Sequence, residues 1–247
     1  MTGPAQWSNH LWPTARLYEP LWRRHSVSLM TGGAFDTDRE LASMRRHLGL
    51  AAGSAVVDLG CSAGLYARTL AATGMVVSAV DVSRAFLAEG TRLARRDGLD
   101  VRFVQADVLA LPFDDATFDG AVSGGSLNEF VDAPRALREA ARVLRDGAPL
   151  WLMYAARAEG VVGRALQGLL RASGLRFPAP TQVDAWALAT GLTPERSERR
   201  GPLVFALYRR GGGLPPLATT SPSPGWDRPT PRRNRRFNWE RESGTGR

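Results

Sequence analysis

From about residue 51 to 210, short apolar runs alternate with stretches whose apolar residues recur every three or four positions. That alternation of strand and amphipathic-helix periods predicts an α/β chain built around a parallel sheet. Strands are expected at Ala55–Leu59, Met75–Val80, Val101–Ala106, Phe118–Ser123 and Pro149–Ala155. Between them, Leu65–Thr73 reads as a helix stopped by Gly74, and a second helix runs from a Ser83 cap to about Arg96, ended by Gly98. A third, Pro134–Arg145, carries Leu137, Ala141 and Leu144 on one stripe. After the fifth strand, residues 161–170 have apolar positions at helical spacing, and Thr181 is expected to cap a last helix ending at Gly191. The segments PERSERR and PLVFALYRR around Gly201–Pro202 predict an antiparallel pair. The fold class is therefore a doubly wound, mostly parallel, seven-stranded sheet with an antiparallel C-terminal strand.

The ends differ from the middle. Residues 1–50 hold many aromatics and all three histidines, with one helical stretch, Asp38–Leu48, in which Leu41, Met44 and Leu48 share a face. This segment is too small for a domain and is expected to lie over the core as a lid. Residues 211–247 open on three glycines and hold many prolines without apolar periodicity, so they predict a disordered tail. The domain proper is residues 51–210.

Charge and composition then narrow the function. The net charge of +8 invites a nucleic-acid reading, but residues 51–210 carry 19 arginines against 17 acids, a nearly balanced surface. The tail has 7 arginines against 3 acids, including Arg232, Arg233, Arg235 and Arg236, so half the excess lies in the last 37 residues. One cysteine excludes an internal disulfide framework and any multi-thiolate metal site, and the scattered histidines have no ligand spacing. No apolar run reaches the roughly 18 residues of a membrane helix, and the N-terminus has no signal-peptide centre, so a cytoplasmic protein without a metal is expected.

The chemistry centres on Val56-Val57-Asp58-Leu59-Gly60-Cys61-Ser62-Ala63-Gly64, a strand leading through glycines into a helix. Ligands meet such sheets at the carboxyl ends of the strands, by the first helix N-terminus, and Gly60 and Gly64 let the backbone approach closely. Asp81 ends the next strand, where a carboxylate can accept both hydroxyls of a ribose. A dinucleotide fold shares these two features, but the G-x-G-x-x-G fingerprint fails at Ser62 and Leu65. Asp58, before the glycines, would repel a pyrophosphate yet suit an ammonium group. With Asp107 following the third strand, three acids at successive strand ends suit a cationic, adenosine-containing amino acid such as S-adenosylmethionine.

On these residues the chain resembles the class I S-adenosylmethionine-dependent methyltransferases, in the small-molecule branch of the ubiquinone/menaquinone-biosynthesis enzymes. The likeness runs through VVDLGCSAG, VDVS, QADVLALPF, FDGAVS and ALREAARVLRDG. It implies a Rossmann-like methyltransferase fold with S-adenosyl-L-methionine as cofactor. Gly60, Cys61 and Gly64 would wrap the methionine part, with Asp58 beneath the loop holding the amino end. Asp81, with Val82 beside it, would take the ribose; Asp107 and the Val108 N–H would face the adenine; Ser123 would line the methionine side. The usual middle glycine of the loop is Ser62 here.

The acceptor end is less marked. The segment Gly124–Phe130 should face the transferred methyl, which makes Glu129 a candidate base or substrate contact and Asn128 a substrate contact. His25 becomes a second candidate base if the N-terminal segment closes over the site, with Tyr18 and Trp22 as stacking partners of the sulfonium or substrate. The helix at 161–170 would roof a hydrophobic acceptor pocket or simply pack in the core. The expected partner is a small-molecule methyl acceptor. Two alternatives stand beside it: an RNA methyltransferase using the basic tail, and a catalytically silent S-adenosylmethionine-binding protein.

Overall fold

The computed structural model describes residues 36–212, together with Arg16. Seven strands form one sheet: β1 (Ala55–Leu59), β2 (Val76–Asp81), β3 (Val101–Gln105), β4 (Gly120–Gly124), β5 (Pro149–Ala155), β6 (Leu192–Arg200) and β7 (Leu203–Arg210). Their order is β3-β2-β1-β4-β5-β7-β6. β1 to β5 pair in parallel, while β7 runs antiparallel to both β5 and β6, so it alone is reversed. This is the expected doubly wound sheet.

The six α-helices among the described residues are α1 (Thr37–Leu48), α2 (Leu65–Ala71), α3 (Arg84–Arg96), α4 (Ala133–Val143), α5 (Val161–Arg171) and α6 (Pro180–Leu188). Local chemistry sets their ends. Asp36 accepts the Arg39 N–H at 2.9 Å to start α1, acids fill its first turn and basic residues its last, and left-handed Gly49 closes it. Ser83 caps α3 as its sequence suggests, accepting the Phe86 N–H. α4 begins one residue earlier than expected, because Asp132 supplies the cap and Pro134 sits in the first turn. Thr181 does not cap α6. That helix starts at Pro180, whose missing N–H needs no acceptor, and Thr181 is its second residue.

The sheet separates two cores. On one face α4 and α6 cover Val57, Leu59, Ala121, Leu150, Leu152 and Tyr154; Tyr208 donates to Asp184 of α6 at 2.7 Å. On the other, Met44 and Leu48 of α1 and Ala67 and Leu70 of α2 cover Val56, Val77, Val122, Trp151 and Met153. Helix α1 was expected within a lid. Met44 is fully buried and His47 stacks on Trp151, so residues 37–48 are part of the core instead. At the amino end of the sheet Asp119 accepts the Ala55 N–H at 2.8 Å and pairs with Arg145, locking β1 to β4.

Helix α5 departs furthest from expectation. Its buried residue is Gln167, whose amide bonds the Ala158 N–H at 2.9 Å and the Ala156 carbonyl at 2.8 Å. Val161, Val162, Leu166 and Leu169 face solvent. Of the apolar stripe, only Leu170 packs against the core among the described residues.

Candidate active site

Strand order reverses between β1 and β4, which makes the crevice at their carboxyl ends the switch point where ligands of open α/β sheets bind. Two loops border it: residues 60–64 after β1 and the short 3₁₀ turn Ser126–Asn128 after β4. They are stitched together. Ser123 donates to the Leu59 carbonyl at 2.9 Å and Ser126 to the Gly60 carbonyl at 2.6 Å. A Cβ on Gly60 would stand 2.6 Å from that of Ser126, and one on Gly64 2.9 Å from the Phe103 ring, with both glycines at positive φ. Both positions thus need glycine twice over, for space and for backbone conformation.

Ser62 holds φ 49° without being glycine. Left-handed backbone costs a side-chain-bearing residue about 1–2 kcal/mol, so its neighbours must hold it there. The holder is Asp81: one carboxylate oxygen accepts the Ser62 N–H at 2.9 Å, and the other accepts the Ser83 N–H at 2.8 Å. The Cys61 N–H bonds the Val80 carbonyl at 2.9 Å, a second tie between this loop and β2.

The three acids lie along the same edge at different heights. In the β1–β2 register Asp58 aligns with Ala79, two residues below Asp81, while Asp107 follows two residues past Gln105, the partner of Asp81. At about 3.3 Å per residue Asp81 stands roughly 7 Å above Asp58 along the strand direction, and Asp107 lies beyond the end of β3. Asp58 is buried and accepts the Ala67 N–H at 3.1 Å, so it holds the first turn of α2 from below. Asp81 is half-buried, and Val82 beside it is exposed. Asp107 is exposed, accepts the Leu109 N–H at 2.9 Å, and precedes buried Val108. The Cys61 thiol is buried, and burial together with the charges of Asp58 and Asp81 pushes its pKa well up. It is a packed thiol.

Beyond β4 the outcome is mixed. Asn128 is buried. Its amide donates to the Ala155 and Arg176 carbonyls at 2.7 and 2.5 Å and accepts the Ala155 N–H at 2.8 Å, clasping the end of β5 to the segment before α6. Glu129 is half-buried at the end of the 3₁₀ turn, its N–H bonded to the Ser126 carbonyl. Tyr18, Trp22 and His25 lie outside the described residues, as does the tail's arginine cluster.

One pair escaped sequence reasoning. The Tyr66 hydroxyl donates to Glu40, a carboxylate buried on α1, and the Tyr66 ring lies where a Cβ on Gly124 would come within 2.8 Å. Glu40, Met44 and Leu48 fall at four-residue intervals, so a carboxylate on the apolar stripe of α1 was the available signal.

A family model described as a methyltransferase domain matches residues 57–152. The demethylmenaquinone methyltransferase of Thermus thermophilus is 32% identical over 162 residues, covering 56% of this chain and 74% of that protein. The chain belongs to the S-adenosylmethionine-dependent methyltransferases. A second relative of this methyltransferase, the mitochondrial 2-methoxy-6-polyprenyl-1,4-benzoquinol methylase of Leishmania donovani, is 38% identical over 99 residues. That match covers 40% of this chain and only 34% of the relative's length. Among solved structures, the YcgJ protein of Bacillus subtilis superposes with a TM-score of 0.60 over 66% of this chain and 71% of its own, at 24% identity, a likeness of fold.

Proposed function

We propose that this methyltransferase transfers a methyl group from S-adenosyl-L-methionine to a small hydrophobic acceptor. The observation that carries the reading is the clamped loop at the switch point. Two glycines that admit no side chain are held between Asp58 beneath and Asp81 ahead, at the site where this family's matched segment begins. The residues present suit the cofactor. Gly60, Cys61 and Gly64 offer backbone to its methionine end. Asp81 offers the ribose hydroxyls a carboxylate at the end of β2. Val82 supplies an exposed apolar surface, and Asp107 with the Val108 N–H supplies polar groups for an adenine edge. When bound, the cofactor supplies a methyl group already activated on a sulfonium.

The protein's own task is placement. Asp58 acts through α2, and Ser123 through β1, as positioning residues that hold the loop in register. Aligning an acceptor in this way is worth several kcal/mol, up to about 10 in favourable cases. Glu129 is the candidate base for an oxygen or carbon acceptor, while an amine or thiolate needs none. His25, Tyr18 and Trp22 remain assigned to the N-terminal side of the acceptor site. The relatives' names point to hydrophobic quinone-type acceptors, and we extend that class to this chain. No helix among the described residues is long and apolar enough to cross a membrane. We place the enzyme in the cytoplasm, with a small molecule rather than nucleic acid as acceptor.

Incubating the protein with radiolabelled methyl donor and a panel of hydroxylated quinones and organic-solvent extracts tests this. Label entering an extractable small molecule, and lost in Gly60→Ala, is expected. Label entering RNA alone would overturn the assignment.

A further inference from the structure

Helix α5 is amphipathic the wrong way round. At about 100° per residue, Val161, Leu169, Val162 and Leu166 span an arc of roughly 140°, and Gln167 lies on the opposite side. It is Gln167 that is buried, pinned to the loop at Ala156–Ala158. The four apolar side chains are 74%, 75%, 84% and 54% exposed, the densest run of large exposed apolar residues among those described. Single exposed hydrophobes are ordinary on a protein surface, but a continuous helical stripe marks an interaction site.

The charges around the stripe say what it meets. Residues 157–176 contain Arg157, Arg164, Arg171 and Arg176, and their one acid, Glu159, is ion-paired to Arg199. Arg164 and Arg171 sit on the polar side of α5 itself, and all four arginines are exposed. An apolar stripe edged by unneutralised arginine is the pattern of a helix lying in a bilayer interface, with side chains in the acyl boundary and guanidinium groups among anionic headgroups. An interface between two copies would bring these four positive charges against their own kind, which disfavours it.

We propose that α5 is a docking element for an anionic phospholipid surface. It follows β5, so it stands at the same carboxyl end of the sheet as the switch-point crevice, and docking there would bring that end of the domain to a membrane. The inference goes beyond the catalytic reading and does not depend on it, because binding is read without turnover.

The test is flotation of the full chain with vesicles of phosphatidylcholine containing one third phosphatidylglycerol, alongside pure phosphatidylcholine. Wild type should float with the anionic vesicles and release at high salt. Leu166→Glu/Leu169→Glu should reduce the bound fraction by roughly tenfold or more, while keeping the wild-type circular dichroism and melting temperature. Replacing Arg232, Arg233, Arg235 and Arg236 by Ser in the full chain should leave flotation in place. Failure of wild type to float overturns the proposal, as does undiminished flotation of the double variant. Loss of flotation in the tail variant alone overturns it too, because docking would then belong to the tail. A wild-type dimer in sedimentation that the double variant abolishes, without flotation, would make the stripe an interface between copies and also overturn it.

Discussion

Asp81→Ala probes the loop and its ligand together. The carboxylate accepts the Ser62 N–H at 2.9 Å and the Ser83 N–H at 2.8 Å, so truncation strips an acceptor from the glycine loop and from the start of α3 at once. Hydrogen bonds to a charged group contribute about 1.5–3 kcal/mol each. Ser83 is fully buried and its N–H has no easy replacement, whereas Ser62 is half-buried and regains part of its loss from water. A net loss of about 3 kcal/mol follows, or roughly 6–12 °C in Tm for a chain of this size. Asp81→Asn keeps one acceptor and should fall between. For the ligand, Asp81→Ala should weaken S-adenosylhomocysteine by more than tenfold, about 1.4 kcal/mol. A loosened loop would weaken binding as well, so the deciding comparison uses the analogue lacking both ribose hydroxyls. Wild type should discriminate against that analogue by roughly tenfold or more, and Asp81→Ala should bind the two ligands equally. Discrimination that persists in the variant refutes the ribose role, and an unchanged Tm refutes the loop clamp.

Three further outcomes follow from the same contacts. Gly124→Ala places a methyl group 2.8 Å from the Tyr66 ring, which Glu40 holds in place, and should cost about 1–3 kcal/mol in urea denaturation; a fully additive Gly124→Ala/Tyr66→Leu double variant would argue against the clash. The Ala55 N–H, with help from Arg145, holds the Asp119 carboxyl below its ordinary range against a smaller opposing effect of burial. A depressed carboxylate stabilises the fold above its unfolded pKa of about 3.9 and loses that contribution as pH falls through the lower folded value. Wild-type stability should therefore decline below about pH 4, and Asp119→Asn should flatten the decline; an equal slope in both counts against the Ala55–Asp119 lock. The buried, proton-retaining Cys61 should resist iodoacetamide at pH 7.5 in the native state and react on unfolding; rapid native labelling would show the loop to be open.

Sequence pattern revealed the strands of the central sheet because each apolar run is short, bounded and followed by its own turn signal. β1 matches residue for residue, and Ser83 caps α3 because a hydroxyl before an apolar-periodic run has few other uses. Orientation was hidden. Periodicity shows which residues of α5 share a side, but not that the Gln167 bonds to Ala156 and Ala158 turn the apolar side outward. Asn128 looked like a contact because it follows β4, yet its role depends on Ala155 and Arg176, 27 and 48 residues away. The place of Asp58 in β1 was legible, but its bond to the Ala67 N–H depends on how α2 sits against the sheet. Glu40 shows the reverse lesson: a carboxylate on an apolar stripe was visible and went unread, because its partner Tyr66 belongs to another helix.

Isothermal calorimetry of the full chain against S-adenosylmethionine and S-adenosylhomocysteine tests the central claim most directly. Saturable, one-to-one binding of both at micromolar to millimolar concentrations is expected, weakened in Asp81→Ala. A well-folded wild type that takes up neither ligand at millimolar concentration would contradict the account.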